Sequence, residues 1–434
     1  MKKILASLVM AGLVASAFAQ TDPAAAPTFT WNGYASTGVS VAGNGTDKAV
    51  VGLWDDDNWG PGGRLNLDLN IAQGNSGFKF QIRGDGANLT GNSVSGQKSV
   101  YFKTAYAYTN FFDKMLYTQA GIINEQTTRA GGDAFIRSSF TKETPGAILL
   151  VRPALDGMTV AVEAAIVSAK ADGTLSDVNT QQSTVGGAFI VKDVTQVKGG
   201  LLFANTAAAG KDVNYGLGRA YVAASLDSVK NMKLWVEGWF SGLGAASTTS
   251  ATTSGFLNSG KSLDVYVFSE TTSYNFTDMD MAQLTVGLRM YQALYGSDVK
   301  TTSTTANDTA VNPSLSFTPW VSYALDGGIV PKLSLSYFMG PELLDGSYSQ
   351  KGSNLLDNVL NVSAPSLAKS NVNNVALFEI KPSVLIKVGA SQSLTLAYAY
   401  DVSAGSDDVY FKNGFGASTS KSNSVVQANY IYSF

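Results

Sequence analysis

Between residues 64 and 83 apolar and polar side chains alternate one for one. Leu65, Leu67, Leu69 and Ile71 interleave with Arg64, Asn66, Asp68 and Asn70, and Phe78, Phe80 and Ile82 interleave with Lys79, Gln81 and Arg83. Strand side chains point to opposite faces in turn, so each segment carries one apolar and one polar flank. Setting Ile71 opposite Phe78 across the segment AQGNSG places Leu69 against Phe80 and Leu67 against Ile82. The same register places Asn70 against Lys79 and Asn66 against Arg83, so one alignment satisfies both faces. This grammar recurs about eighteen times, from residues 29–41 to residues 424–434. The pattern predicts an all-β, antiparallel chain of about eighteen strands. Sixteen is the alternative, because Pro319 and Pro382 fall inside proposed strands and residues 147–151 are apolar without alternation.

The connections alternate in length. Eight short ones, near 72–77, 110–115, 152–157, 193–196, 227–232, 271–282, 324–331 and 388–392, separate nine long ones that include 42–63, 124–146, 242–261 and 339–375. Seventeen connections join eighteen strands with both chain ends on the short-turn side. Such alternation matches a transmembrane β-barrel with short periplasmic turns and longer outer loops, which makes both termini periplasmic. Composition does not shift along the 434 residues, and no linker marks off a second unit.

The two ends of the chain fit an exported barrel. Met1-Lys2-Lys3, an apolar run over residues 4–19 and the closing Ala17-Phe18-Ala19 have the form of a signal peptide cleaved before Gln20. A single barrel domain then covers 20–434, with a leader over 20–28. In the last strand Val426, Ala428, Tyr430, Tyr432 and Phe434 share one flank. A chain that stops on a strand-end phenylalanine preceded by two such tyrosines resembles the closing strand of bacterial outer-membrane β-barrel porins. The resemblance implies that Tyr430, Tyr432 and Phe434 are the signal read by the barrel assembly machinery. It also implies an outer-membrane location in contact with lipid, and assembly as a homotrimer. On the apolar flanks Tyr106, Tyr108, Tyr323, Tyr432 and Phe434 are expected at periplasmic strand ends and Tyr337, Tyr398 and Tyr400 at outer ends, forming two aromatic girdles.

Composition narrows the chemistry. The chain contains no histidine and no cysteine, so Ser-His-Asp and Cys-His catalysis, histidine acid–base steps, the common zinc sites and disulfides are all excluded. No spacing points to another catalytic set, and no cofactor is expected. Removing Lys2 and Lys3 takes the net charge from −3 to −5, which argues against nucleic acid as a partner.

A ring of sixteen to eighteen strands is too wide for side chains to fill, so water is expected inside it. The charged residues assigned to the inner, pore-lining face are Arg64, Asp68, Lys79, Arg83, Lys103, Glu163, Arg219, Lys233, Glu237, Asp264, Glu270, Arg289, Glu379, Lys381 and Lys387. On a lipid face each Lys or Arg at mid-membrane would cost about 2–4 kcal/mol. The expected function is passive diffusion of small hydrophilic solutes and ions. The alternative is a surface adhesin or structural outer-membrane protein whose long loops bind a partner. The third outer loop carries Glu125, Arg129, Asp133, Arg137, Lys142 and Glu143. General porins, by resemblance, fold this loop into the bore, which would make it the constriction. Asp55, Asp56 and Asp57 form the densest acidic run, but their spacing is not that of an EF-hand, so they read as a solvated loop before they read as a metal site. Deleting residues 127–140 is expected to raise single-channel conductance in planar bilayers; an unchanged step size would remove the constriction assignment.

Overall fold

The structure is a computed structural model that describes residues 26–43, 50–53, 64–85, 100–123, 144–155, 158–168, 181–191, 195–205, 215–226, 229–241, 265–279, 281–295, 313–340, 375–403 and 422–434. Among these the chain is almost entirely extended. The strands are β1 (Thr28–Gly43), β2 (Val50–Leu53), β3 (Arg64–Gln73), β4 (Ser76–Asp85), β5 (Tyr101–Phe111), β6 (Leu116–Ile123), β7 (Thr144–Val151), β8 (Ala154–Leu155), β9 (Met158–Ser168) and β10 (Gln181–Val191). They continue with β11 (Thr195–Asn205), β12 (Tyr215–Leu226), β13 (Met232–Ser241), β14 (Val265–Phe276), β15 (Met281–Tyr295), β16 (Ser314–Tyr323), β17 (Ile329–Gly340), β18 (Val375–Gly389), β19 (Gln392–Ser403) and β20 (Ser422–Ser433). One 3-10 turn, Thr277–Met279, is the only helical element among the described residues, and no helix there is long and apolar enough to cross a membrane.

The twenty strands form one sheet, and every pairing in it is antiparallel. Two of them are short appendages: β2 prolongs the β3 side of β1, and β8 folds back on the start of β9. The remaining eighteen pair with their sequence neighbours in turn, and β20 pairs with β1 to close a barrel. The β3–β4 register is the one the alternation demands, with Ile71 opposite Phe78, Asn70 opposite Lys79 and Asn66 opposite Arg83. Gly74 takes φ +57° in the two-residue turn between them, at the first central position, where type II′ hairpins need glycine. The start of β1, the end of β20 and the described short turns lie at one rim, and the strand ends that lead into the long connections lie at the other.

The two faces of the sheet differ in kind. Phe29, Val39, Phe78, Phe102, Val236, Phe317, Leu333, Leu396, Tyr398 and Val426 are exposed, whereas Asn66, Gln119, Ser316, Ser336, Gln427 and Asn429 are buried. In a closed ring this puts the apolar flank outside and the polar flank inside. Tyr323, Tyr432 and Phe434 face outward at the short-turn rim, and Tyr337, Tyr398 and Tyr400 face outward towards the long-loop rim.

Tyr106 and Tyr108 depart from the expected girdle. The β4–β5 ladder shifts register between Gln81, opposite Thr104, and Ile82, opposite Phe102, leaving Lys103 as an extra residue. Such a bulge reverses the parity of everything beyond it. Phe102 stays outside, but Tyr106 comes opposite Lys79 and turns inward with Tyr108. Pro319 and Pro382 are accommodated without ending a strand. The β16–β17 ladder omits the two rows between Phe317–Tyr337 and Trp320–Ser334, and the β18–β19 ladder those between Ile380–Tyr400 and Ser383–Ala397, with the register kept on either side. Residues 147–151 belong to the longer strand β7, whose Ile148 and Leu150 point inward and pack with Tyr106, Tyr117 and Ile123.

The seam is closed at the last residue. Gly33 and Phe434 exchange both backbone hydrogen bonds at 2.9 Å, and the Phe434 ring lies 5.6 Å from Trp31 and 6.0 Å from Tyr432, centroid to centroid. A Cβ on Gly33 would collide with the Asn66 carbonyl oxygen and stand 3.0 Å from the Phe434 ring. Two neighbouring short turns are clamped outside the barrel wall. Asp278 accepts hydrogen bonds from Lys230 Nζ at 2.5 Å and Asn231 Nδ2 at 2.9 Å, and the bond from Lys230 holds its carboxyl below the usual range.

The proposed signal peptide and most of the leader lie outside the described residues, as do Asp55, Asp56, Asp57 and the third-loop residues Glu125, Arg129, Asp133, Arg137, Lys142 and Glu143. Gly33→Val is expected to block the seam. Loss of one such pairing, at roughly 1.4 kcal/mol per factor of ten, should lower the folded-to-unfolded ratio by about tenfold, read from the heat-modifiable band on an SDS gel along a urea titration.

Candidate functional site: the inner wall

The inner wall is built by the polar half of the alternation. At the long-loop side, Arg64 sits opposite Ser36 on β1 and is 1% exposed, and Arg83 sits opposite Asn66. Lys103 is buried at the bulge. On the contiguous strands β16 to β20, Ser316, Thr318, Ser334, Ser336, Glu379, Asp401, Gln427 and Asn429 form a buried polar belt. Thr318 Oγ1 donates to Ser336 Oγ at 3.2 Å, and Ser336 Oγ reaches Glu379 Oε1 at 3.5 Å. Glu379 and Asp401 stand opposite each other on β18 and β19. Among the described residues no group of three or more Asp or Glu side chains has the arrangement of a metal site.

Lys233, Glu237, Arg289, Lys381 and Lys387 also fall on the inward flank by register. Glu237 accepts a hydrogen bond from Trp235 Nε1 at 3.2 Å, which places that tryptophan on the inner wall too. Glu270 does not join them. It pairs with Val236 and Met290 and shares its flank with Phe268, all on the outward face. Strand β14 runs on to Phe276, so its polar inner flank is Ser269, Thr271, Ser273 and Asn275, and Glu270 belongs with Tyr274 and Phe276. The backbone of Glu163 lies opposite Leu150 and that of Arg219 opposite Leu202, but their side chains are outside the description, and Asp264 is outside the described residues altogether.

The structure adds wall residues that alternation alone did not single out. Asp401, absent from the expected pore-lining set, lies on the inner flank of β19 opposite Glu379. Lys332 comes opposite Ser322, with its Nζ 5.0 Å from the centre of the Trp320 ring. Arg152 follows β7 with its guanidinium carbon 5.5 Å from the centre of the Tyr117 ring. The described inward side chains therefore comprise ten cations, namely Arg64, Lys79, Arg83, Lys103, Arg152, Lys233, Arg289, Lys332, Lys381 and Lys387. Against them stand four carboxylates, Asp68, Glu237, Glu379 and Asp401. Among the described residues the inner wall of this chain of net charge −3 is thus basic.

At the short-turn rim this wall opens into a recess of about 720 Å³ lined by Thr30, Trp31, Asn32, Asp68, Leu69, Asn70, Lys79, Tyr106, Tyr108, Asn110, Lys114, Tyr117 and Arg152. Asp68 accepts from Gln81 Nε2 at 2.8 Å and Asn66 Nδ2 at 3.0 Å, and Tyr108 Oη donates to Asn70 Oδ1 at 3.0 Å. A Cβ on Gly77 would meet the Tyr108 hydroxyl at 2.5 Å, so glycine there lets the ring lie across the strand. Tyr108 and Tyr117 stack at 6.1 Å with 28° between their planes, and Tyr117 Oη donates to Gln119 Oε1 at 2.7 Å. The turn that carries Lys114 is strained. Phe112, Asp113 and Lys114 take φ of 51°, 49° and 71°, and left-handed backbone costs a non-glycine residue about 1–2 kcal/mol. Met115 N donating to Phe112 O at 2.9 Å and Arg152 N to Met115 O at 2.7 Å hold it in place.

A closed antiparallel barrel with an apolar exterior, aromatic rims and a polar, charged interior is the architecture of outer-membrane porins. The chain shares its fold with solved structures of that class. It aligns with the anion-selective porin from Comamonas acidovorans at 12% identity and TM-score 0.50, covering 94% of this chain and 100% of that one. OpdL of Pseudomonas aeruginosa aligns at 9% identity and TM-score 0.51, covering 94% and 98%, and OprD of Pseudomonas aeruginosa at 10% identity and TM-score 0.50, covering 94% and 95%. No family model matches the sequence, and no curated protein matches it.

A unit charge about 8 Å from a passing ion in water contributes roughly 0.5 kcal/mol, about a factor of two in local concentration. Glu237→Gln is therefore expected to raise local anions and lower local cations about twofold each, and so to raise the anion-to-cation permeability ratio by about fourfold, measured as reversal potential across a KCl gradient. Glu270→Gln, on the outer face, should leave that ratio unchanged.

Proposed function

We propose that this chain is an outer-membrane channel for passive diffusion of small hydrophilic solutes and ions, with a preference for anions, and that it is not an enzyme. The observation that carries this reading is the inverted barrel itself, a closed ring with its apolar flank outside and, among the described inward side chains, ten cations against four carboxylates. Charges on the wall of a confined aqueous path set the local concentration of permeant ions, so a basic wall enriches anions. The name of one structure of the same fold, an anion-selective porin, accords with this. The absence of histidine and cysteine from the sequence removes the commonest hydrolytic mechanisms.

Several finer features belong to the same proposal. Residues 1–19 direct export, the short-turn rim and both termini face the periplasm, and Tyr430, Tyr432 and Phe434 present the barrel to its assembly machinery. The loop over 124–144 narrows the bore, and the barrels associate as homotrimers. Liposome swelling with neutral sugars of increasing size tests the channel directly. The expected result is a sharp size cut-off, together with an anion-biased reversal potential in planar bilayers. Absence of both swelling and conductance would instead favour the structural or adhesive reading of the long loops.

A further inference from the structure

The recess at the short-turn rim combines features that a bare diffusion path does not need. Its aromatic surface, Tyr108 stacked near Tyr117, lies on the inner wall, where alternation would ordinarily place polar residues. Its cations are Lys79, Lys114 and Arg152, and its one carboxylate, Asp68, already accepts hydrogen bonds from the neighbouring Asn66 and Gln81 side chains. The Arg152 guanidinium lies over the Tyr117 ring. Stacking engages the face of a guanidinium and pre-orients its planar fork, whose N–H edges match the two oxygens of a carboxylate. Lys114 is brought to the rim by a turn of three consecutive left-handed residues, the kind of backbone strain that gathers at ligand sites.

We propose that this recess is a saturable binding site for small organic anions that carry a flat ring, the charge held between Arg152, Lys79 and Lys114 and the ring laid against the tyrosine wall. The site rests on the reading of the barrel interior as open to solutes, and it deepens that reading by naming a solute class. A neutral polyol would leave the three cations unused, and an inorganic anion would leave the aromatic wall unused.

Benzoate, acetate and benzyl alcohol separate charge from ring. With the full-length protein folded in detergent micelles, saturation-transfer NMR should show saturable benzoate binding at least about tenfold tighter than either acetate or benzyl alcohol. Arg152→Gln combined with Lys79→Gln should weaken benzoate by about tenfold or more. Should that variant fail to fold, Lys79→Gln with Lys114→Gln, both at exposed positions, carries the same expectation. Equal binding of acetate and benzoate, or undiminished benzoate binding in a folded variant, overturns the site. Bilayer conductance read on the same preparations keeps the two readings apart. Normal conductance without ring preference defeats the site alone, whereas ring-selective binding with no conductance defeats the channel alone.

Discussion

Every backbone amide and carbonyl in a hydrocarbon layer has to find its partner within the protein, since no water is there to substitute. For a chain built of strands only closure meets that demand, and here the ladder between β1 and β20 supplies it, with Phe434 as its end row. Phe434 exchanges two hydrogen bonds with Gly33, and β20 continues that pairing along β1 as far as Gly43. The glycine is needed because a Cβ there would collide with the Asn66 carbonyl oxygen and crowd the closing phenylalanine ring. Local imperfections are tolerated once the ring is complete. The prolines in β16 and β18 each interrupt a ladder on one side while the other ladder continues through them.

Closure also decides what the side chains can do. With apolar groups outside, the interior receives residues that would be costly facing lipid, and their charges are gathered from strands distant in sequence into one confined space. An overall acidic protein thereby acquires an inner surface whose described charges are mostly basic, a property of arrangement that net charge does not report. The interior is not uniform. One sector is a buried belt of serine, threonine, amide and carboxylate groups; another, at the short-turn rim, is a tyrosine shelf edged with cations.

The shelf arises from one extra residue. Without the bulge at Lys103, Tyr106 and Tyr108 would continue the outward flank begun by Phe102 and join the aromatic girdle. With it, both turn inward to meet Tyr117, Ile148 and Leu150, and the wall gains an apolar face exactly where β7 is apolar on both sides. Backbone strain at Phe112–Lys114 is a further local departure in the same sector.

The period-two alternation determined the all-β class, the β3–β4 register, the placing of most inner charges and the outward aromatic flank of β20, because strand side chains cannot escape alternating faces. Alternating connection lengths likewise carried the strand count. Tertiary structure decided whatever depends on counting across a bulge or on where a strand stops. Tyr106 and Tyr108 changed face because the bulge at Lys103 shifts β5 against β4, Glu270 because β14 runs past it to Phe276, and Arg152 and Lys332 gained roles through rings on adjacent strands. Those are relations between segments, fixed by cross-strand hydrogen bonds, and a single segment read alone does not contain them.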